Sequence, residues 1–203
     1  MLQLMPSDLR PVESALVECR HCAPHFAKTA TGHAPRPIVH LHHAARIVIA
    51  SQAPGARAHA SGVPFRDPSG VRLRDWMGLD QQTFFAPGVV AVVPMGFCFP
   101  GQDAEGNDLR PPAICAEMWQ ERVLAALPAV RLTLVIGAVA QRQRLGRRGP
   151  MTETVRNWRD HAPGVVPLPH PSWRNTPWLK RNPWFDAELL PALRQRVAEV
   201  LAD

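Results

Sequence analysis

The sequence contains no tyrosine and no apolar run approaching 18 residues. The second absence excludes a transmembrane helix, so no membrane partner is expected. The first, beside 22 prolines, points to ordered, proline-punctuated loops and to no particular activity. Residues Met1 to Asp8 lack a basic stretch followed by an apolar segment and a small-residue cleavage site. No secretory signal is therefore expected, and the expected location is cytoplasmic. Cysteine is scarce, with four in 203 residues. In a reducing compartment structural disulfides are disfavoured, which leaves buried thiols, metal ligands or nucleophiles. Internal repeats and low-complexity tails are also missing, and the length suits a single domain over residues 1–203.

What is present is enough apolar material for a core, 46% of the residues, and an excess of base. The formal net charge is +6 and the isoelectric point about 10.1. That balance suits a polyanionic partner, of which nucleic acid is the commonest, or simply a solvated basic surface.

Four short apolar runs read as buried parallel strands: Arg46 to Ala50, Val89 to Val93, Leu132 to Ile136 and Val165 to Leu168. Helix-compatible stretches lie at 7–22, 69–78, 113–127, 138–145, 151–160 and 186–202, and residues 23–45 read as an extended loop. Alternation of strand and helix argues for an α/β fold with a mostly parallel sheet, and such sheets bind ligands at the carboxyl ends of their strands.

The segments that follow the strands therefore carry the interest. After the first comes Ser51-Gln52-Ala53-Pro54-Gly55, then Ser61-Gly62-Val63-Pro64-Phe65 and Gly70. Proline and glycine directly after a buried strand make a tight turn, which can aim backbone N–H groups at an anion or carbonyl. After the last strand comes Pro169-His170-Pro171-Ser172-Trp173-Arg174-Asn175. A histidine held between prolines has little freedom, and an apolar wedge beside a guanidinium suits a loop that fills the gap left by a flipped base. Cys19-x-x-Cys22 places two thiolates within reach of one centre; Cys98 and Cys115 bracket a loop that could return there. Spacing alone leaves zinc, iron–sulfur and inert thiols open.

Together these segments resemble the uracil-DNA glycosylase superfamily, most closely its iron–sulfur-containing family 4 branch. Gln52-Ala53-Pro54-Gly55 with Gly62, Pro64-Phe65 and Gly70 is similar to the first motif, His170-Pro171-Ser172 to the second, and the four cysteines to the ligands of a [4Fe–4S] cluster. The resemblance runs from about residue 19 to 176. It implies a three-layer α/β/α sandwich around a central four-stranded, mostly parallel sheet, and an enzyme that flips uracil or another deaminated base out of DNA and hydrolyses its glycosidic bond. It implies that Phe65 stacks on the base, that His170 hydrogen-bonds the base carbonyl, and that residues Ala53, Pro54 and Gly55 wall the base pocket. It further implies that Ser172, Trp173, Arg174 and Asn175 enter the DNA.

Three departures bear on specificity. Ser51 stands where the family has glycine, Gln52 where an acidic residue is frequent, and Val93-Pro94-Met95-Gly96 where relatives carry an asparagine that reads the pyrimidine edge. Gln52 can hold a water but is no base. Asp67 is a candidate for positioning the water, or else a helix N-cap; His59 is a loop or phosphate-contact residue. The alternative to turnover is a protein of the same fold that captures uracil-containing DNA without excision.

Arg142, Arg144, Arg147 and Arg148 form a basic cluster, and Arg174, Trp178, Lys180, Arg181 and Trp184 interleave base with indole. Such interleaving fits a groove that tracks a nucleic-acid backbone, with Arg174 and Lys180 as phosphate contacts. Trp178 and Trp184 equally suit packing of the last helix. Histidines 33, 40, 42 and 43 are irregularly spaced and read as solvated or phosphate-facing. A monomer is the expected state.

Overall fold

A computed structural model describes residues 8–146 and 148–202. Ser7 and the residues before it, and Arg147 of the basic cluster, lie outside the described residues.

Four strands, β1 (Ile47–Ala50), β2 (Val90–Val92), β3 (Leu132–Ile136) and β4 (Val165–Leu168), form one sheet in the order β2-β1-β3-β4. Every pairing is parallel, with Ile47 opposite both Val90 and Leu132, and Thr133 opposite Val165. Nearly every strand residue is buried, which is why these strands read as unbroken apolar runs instead of alternating ones. Pro167 offers no N–H to a ladder and is tolerated because β4 is an edge strand.

Helices cover both faces. Ile47, Ile49, Val90, Leu132 and Leu134 point to the layer that holds α4 (Pro68–Met77), α5 (Gln81–Phe85) and α10 (Leu190–Ala202), where Leu73, Phe84 and Phe185 are fully buried. Burial of each of those three side chains stabilises the fold by about 1.5–3 kcal/mol. Val48, Ala91 and Val93 point the other way, to α1 (Leu9–Val17) and α6 (Ala113–Ala125) through Leu16, Trp119 and Val123. Ala50 and Val135 continue that face against Ala140 of α7 (Gly137–Leu145). The result is the α/β/α sandwich expected from the sequence, with a sheet that is wholly parallel.

Several boundaries differ from the sequence reading. Helix α1 stops at Val17, so Cys19 to Cys22 lie in turns and not on a helix. Residues 23–45 are not one loop: α2 (Ala23–Phe26) opens them, and His40 bridges to Val92. Two six-residue helices that the sequence did not reveal flank the cleft described below, α3 (Ala56–Ser61) and, after α8 (Met151–Arg156), α9 (Thr176–Arg181). The expected helix at 151–160 is α8 followed by a 3-10 turn, Trp158–Asp160. The last helix is preceded by a π turn, Phe185–Leu189, where Pro191 has no N–H for regular α spacing.

The chain passes from β1 to β2 on one side and then crosses back to β3 on the other side of β1, so the sheet has a switch point between β1 and β3. In such sheets the ligand crevice opens at the carboxyl ends beside that point.

Candidate active site

A cleft of about 600 Å³ opens there. It is lined by the turn after β1, by Phe65 and Asp67, by Pro94 after β2, by Asp108, and by the segment His170 to Asn175 after β4.

The turn after β1 is held to the segment after β2 by a continuation of the ladder. Met95 N–H donates to the Ser51 carbonyl at 2.7 Å and Gly96 N–H to the Gln52 carbonyl at 3.0 Å. The Gln52 side chain donates its amide to the Leu109 carbonyl at 3.3 Å. Gly55 then starts α3 as its N-cap.

Phe65 has φ 53, the left-handed region that a bulky side chain enters only under constraint. The constraint is visible. Arg74, buried at 6% exposure, donates to the Phe65 carbonyl at 2.9 Å and lies over the rings of Phe84 and Phe85. Gly70 packs so tightly beneath that a Cβ there would stand 1.7 Å from the same carbonyl oxygen. The glycine five residues after Phe65 is thus part of the device that turns the ring into the cleft. Asp67 caps α4: its Oδ1 accepts the Gly70 N–H at 3.1 Å, as the N-cap reading supposed, while the residue also lines the cleft.

His170 is pinned on all sides. Its carbonyl accepts the Asn175 amide at 2.7 Å, the Leu168 carbonyl accepts the Gln141 amide at 2.9 Å, and Gly137 lies beside it, a Cβ there standing 3.6 Å from the His170 Cβ. Nδ1 accepts the Ser172 N–H at 3.2 Å. Burial pushes the His170 pKa below the ordinary imidazole range, while the Asp67 and Asp108 charges pull it back in part. A neutral ring whose Nδ1 accepts must carry its proton on Nε2, which makes Nε2 a donor.

Beyond it, Ser172 caps a 3-10 turn, Trp173–Asn175. Trp173 is 72% exposed, and the Arg174 guanidinium lies 5.5 Å from its ring centre. Arg72 of α4 fastens this loop by donating to the Ser172 carbonyl at 3.0 Å and to Thr176 Oγ1 at 3.3 Å. An exposed indole on a tethered turn at the cleft rim is suited to enter a stacked duplex.

The four cysteines are free thiols that line one small apolar cavity with Leu16, Phe26 and Trp119. Burial, then the neighbouring Cys115 charge, pushes the Cys98 thiol up to about 12; burial pushes Cys115 up to about 11. Phe97 N–H nevertheless points at Cys115 Sγ at 3.4 Å, and the Arg36 backbone hydrogen-bonds Cys98. Among the described residues no group of three or more His, Cys, Asp or Glu side chains is arranged to hold a metal ion.

Other sequence candidates fall outside the cleft. Lys180 is exposed on α9 and does not line it. Arg142, Arg144 and Arg148 sit towards or beyond the end of α7, which starts at the carboxyl end of β3 and runs away from the cleft; Arg144 pairs with Glu121 at 3.7 Å. None of the three lines the cleft. Trp178 and Trp184 pack edge-on to each other and to Phe185. His59 lies on α3 and not in a loop, half-buried edge-on to His33 and tilted on Phe99. His33 stacks on Phe26, and His40 meets Phe85 edge-on, so both are half-buried against aromatic rings. His42 and His43 stack on one another. Pro94 lines the cleft and offers no side-chain donor or acceptor; its carbonyl is taken by the buried Gln120 amide at 2.5 Å.

Sequence reasoning missed Arg72, Gly137 and Asp108. Only Gly137 had a visible signal, a glycine directly after a buried strand.

Residues 16–194 match the family model described as the uracil DNA glycosylase superfamily.

Proposed function

The chain belongs to the uracil-DNA glycosylase superfamily, which makes it a DNA glycosylase in general terms, and we propose that it excises uracil and other deaminated bases by hydrolysis. The observation that supports this most is the pairing, across one cleft, of Phe65 held in a left-handed conformation and His170 held as an Nε2–H donor.

Breaking an N-glycosidic bond develops negative charge on the base and positive charge on the sugar. A fixed donor at the base carbonyl stabilises the departing anion, and it is most effective where it needs no reorganisation. His170 meets that need while neutral, since burial disfavours the imidazolium. Phe65 stacks on the flipped base, and Ala53, Pro54 and Gly55 form the facing wall. Gln52 lines the same wall, and its side-chain oxygen can accept a hydrogen bond from the water. Asp67, whose Oδ1 caps α4, adds a carboxylate to the cleft. Trp173 fills the stack that the base leaves, with Ser172, Arg174, Asn175 and the more distant Lys180 towards the phosphates. Because position 94, just after β2, is a proline with no side-chain amide to read the base edge, discrimination among deaminated bases is loose.

The cysteine cavity fits a [4Fe–4S] cluster, the feature that would place the chain in the family 4 type branch. Four cysteines line one apolar cavity, and two backbone amides are aimed at sulfur, contacts that would support thiolate ligands once a cluster took up their charge. Cys19, Cys22, Cys98 and Cys115 would hold it. Its contribution would be structural, a cross-link between the turns after α1 and the segment after β2.

The test is release of free base from oligonucleotides that carry one uracil, hypoxanthine or xanthine. Release with an abasic site left behind supports the proposal. A stable lesion-specific complex with no release would instead make the chain a DNA-capturing relative.

A further inference from the structure

We propose that Asp108, on the flap that follows β2, is the carboxylate that takes the proton of the attacking water. This rests on the glycosylase reading above. Gln52, in the first motif, can hold water but cannot accept its proton, so a residue that takes that proton is sought among the carboxylates that line the cleft.

Two carboxylates line the cleft, Asp67 and Asp108. Asp67 has its Oδ1 committed to the first turn of α4. Asp108 is likewise held by one oxygen, but it reaches the cleft from the flap, against the first-motif turn. Its Oδ1 accepts the Gln102 amide at 3.1 Å, which fixes the plane of the group. Among the described residues its Oδ2, like that of Asp67, takes part in no hydrogen bond, and it stands 3.3 Å from where a Cβ on Gly55 would be. Glycine at 55 therefore leaves the wall bare where this oxygen approaches.

The flap that carries it is built, not loose. Gln102 and Asp108 form an antiparallel bridge, and Leu109 N–H donates to the Gly101 carbonyl at 2.9 Å. The tip is closed by Asp103, whose Oδ1 accepts the Asn107 N–H at 2.8 Å and the Glu105 N–H at 3.1 Å. At its base, Gly101 has φ 91 and a Cβ there would meet Thr29 at 2.8 Å. The Gln52 amide on the Leu109 carbonyl ties the flap to the first-motif turn. The cleft is thus lined both by the donor for the base and, on the flap, by an exposed carboxylate.

The step balances as hydrolysis. Water oxygen bonds to the sugar C1′ and its proton passes to Asp108 Oδ2. The C1′–N bond breaks with its electron pair on the base, whose anion is held by His170 Nε2–H. The base then takes a proton from solvent and Asp108 releases one, leaving an abasic sugar and free base.

The test is single-turnover release of uracil from a single-stranded oligonucleotide by wild type, Asp108→Asn, Asp108→Ala and Asp67→Asn, with DNA affinity measured by anisotropy. Asp108→Asn should release base at least roughly 100-fold more slowly, the range of a lost general base, and bind DNA no more weakly than wild type. Sodium formate, against sodium chloride at equal ionic strength, should raise the rate of Asp108→Ala and leave Asp67→Asn unchanged. Wild-type release by Asp108→Asn overturns the proposal, as does a slow Asp108→Ala that formate does not move. Base release by wild type with either of those results leaves the glycosylase reading standing; no release by wild type removes that reading first.

Discussion

Replacing Gly70 by alanine tests whether the pose of Phe65 is what the first motif encodes. The added Cβ would stand 1.7 Å from the Phe65 carbonyl oxygen and 2.4 Å from its carbon. Both are backbone atoms, so no change of rotamer relieves the clash. The carbonyl must move, and with it go the 2.9 Å bond from Arg74 and the left-handed φ of 53. Overpacking costs about 1–3 kcal/mol. Loss of a hydrogen bond to a buried charge costs about 1.5–3 kcal/mol. Relief of the left-handed backbone offsets about 1–2 kcal/mol. The balance is a destabilisation of about 3 kcal/mol, which lowers the Tm of a chain this size by roughly 6–12 °C. Displacement of the ring by about an ångström should also slow base release by roughly 100-fold. The assay is thermal unfolding by circular dichroism, with single-turnover release measured where both proteins are folded. Gly164→Ala is the control, because nothing lies within 4 Å of its added Cβ. A Gly70→Ala protein that melts with wild type and releases base at the wild-type rate would refute the reasoning.

Further outcomes follow from the same geometry. Burial holds His40, His59 and His170 below the ordinary imidazole range. Their stabilisation is therefore complete above the unfolded pKa of about 6.5 and is lost as pH falls towards the folded values. Urea midpoints should drop between pH 7.5 and 5.5, and replacing the three by glutamine should flatten that slope; an unchanged slope counts against it. Trp173→Ala removes a side chain that is 72% exposed, so stability should stay within about 0.5 kcal/mol. Release of base from duplex DNA should nonetheless fall more than from single strands, and equal losses would remove the wedge role. Anaerobically purified protein should contain iron and absorb in the visible, and Cys98→Ser should lose both while still releasing base; iron-free wild type would contradict the cluster.

The strands were legible because burial on both faces leaves β-branched runs, and His170 because prolines flank it. Helices α4, α6 and α7 were legible within about two residues, from their apolar content and their place between strands. Helices α3 and α9 were not, since six residues are too few to show a period. The place of the basic cluster around Arg142, away from the cleft lining, was not legible, because charge on a helix says nothing about which end of the sheet that end of the helix reaches. Asp108 was invisible for a different reason. It meets Gly55 only through the flap's fold, and no spacing in the chain connects the two. The ring contacts of His33 and His59 were not legible, because histidines in sequence carry no sign of the phenylalanine rings they meet in space.

The measurement that bears most directly on the central claim compares wild type with His170→Gln on labelled oligonucleotides carrying one uracil, hypoxanthine or xanthine, with alkali to break abasic sites. Strand breaks at the lesion with wild type, reduced by orders of magnitude in the variant while DNA binding persists, are the predicted result. Equal cleavage by both proteins, or none by wild type on any lesion, would contradict a glycosylase that works through His170.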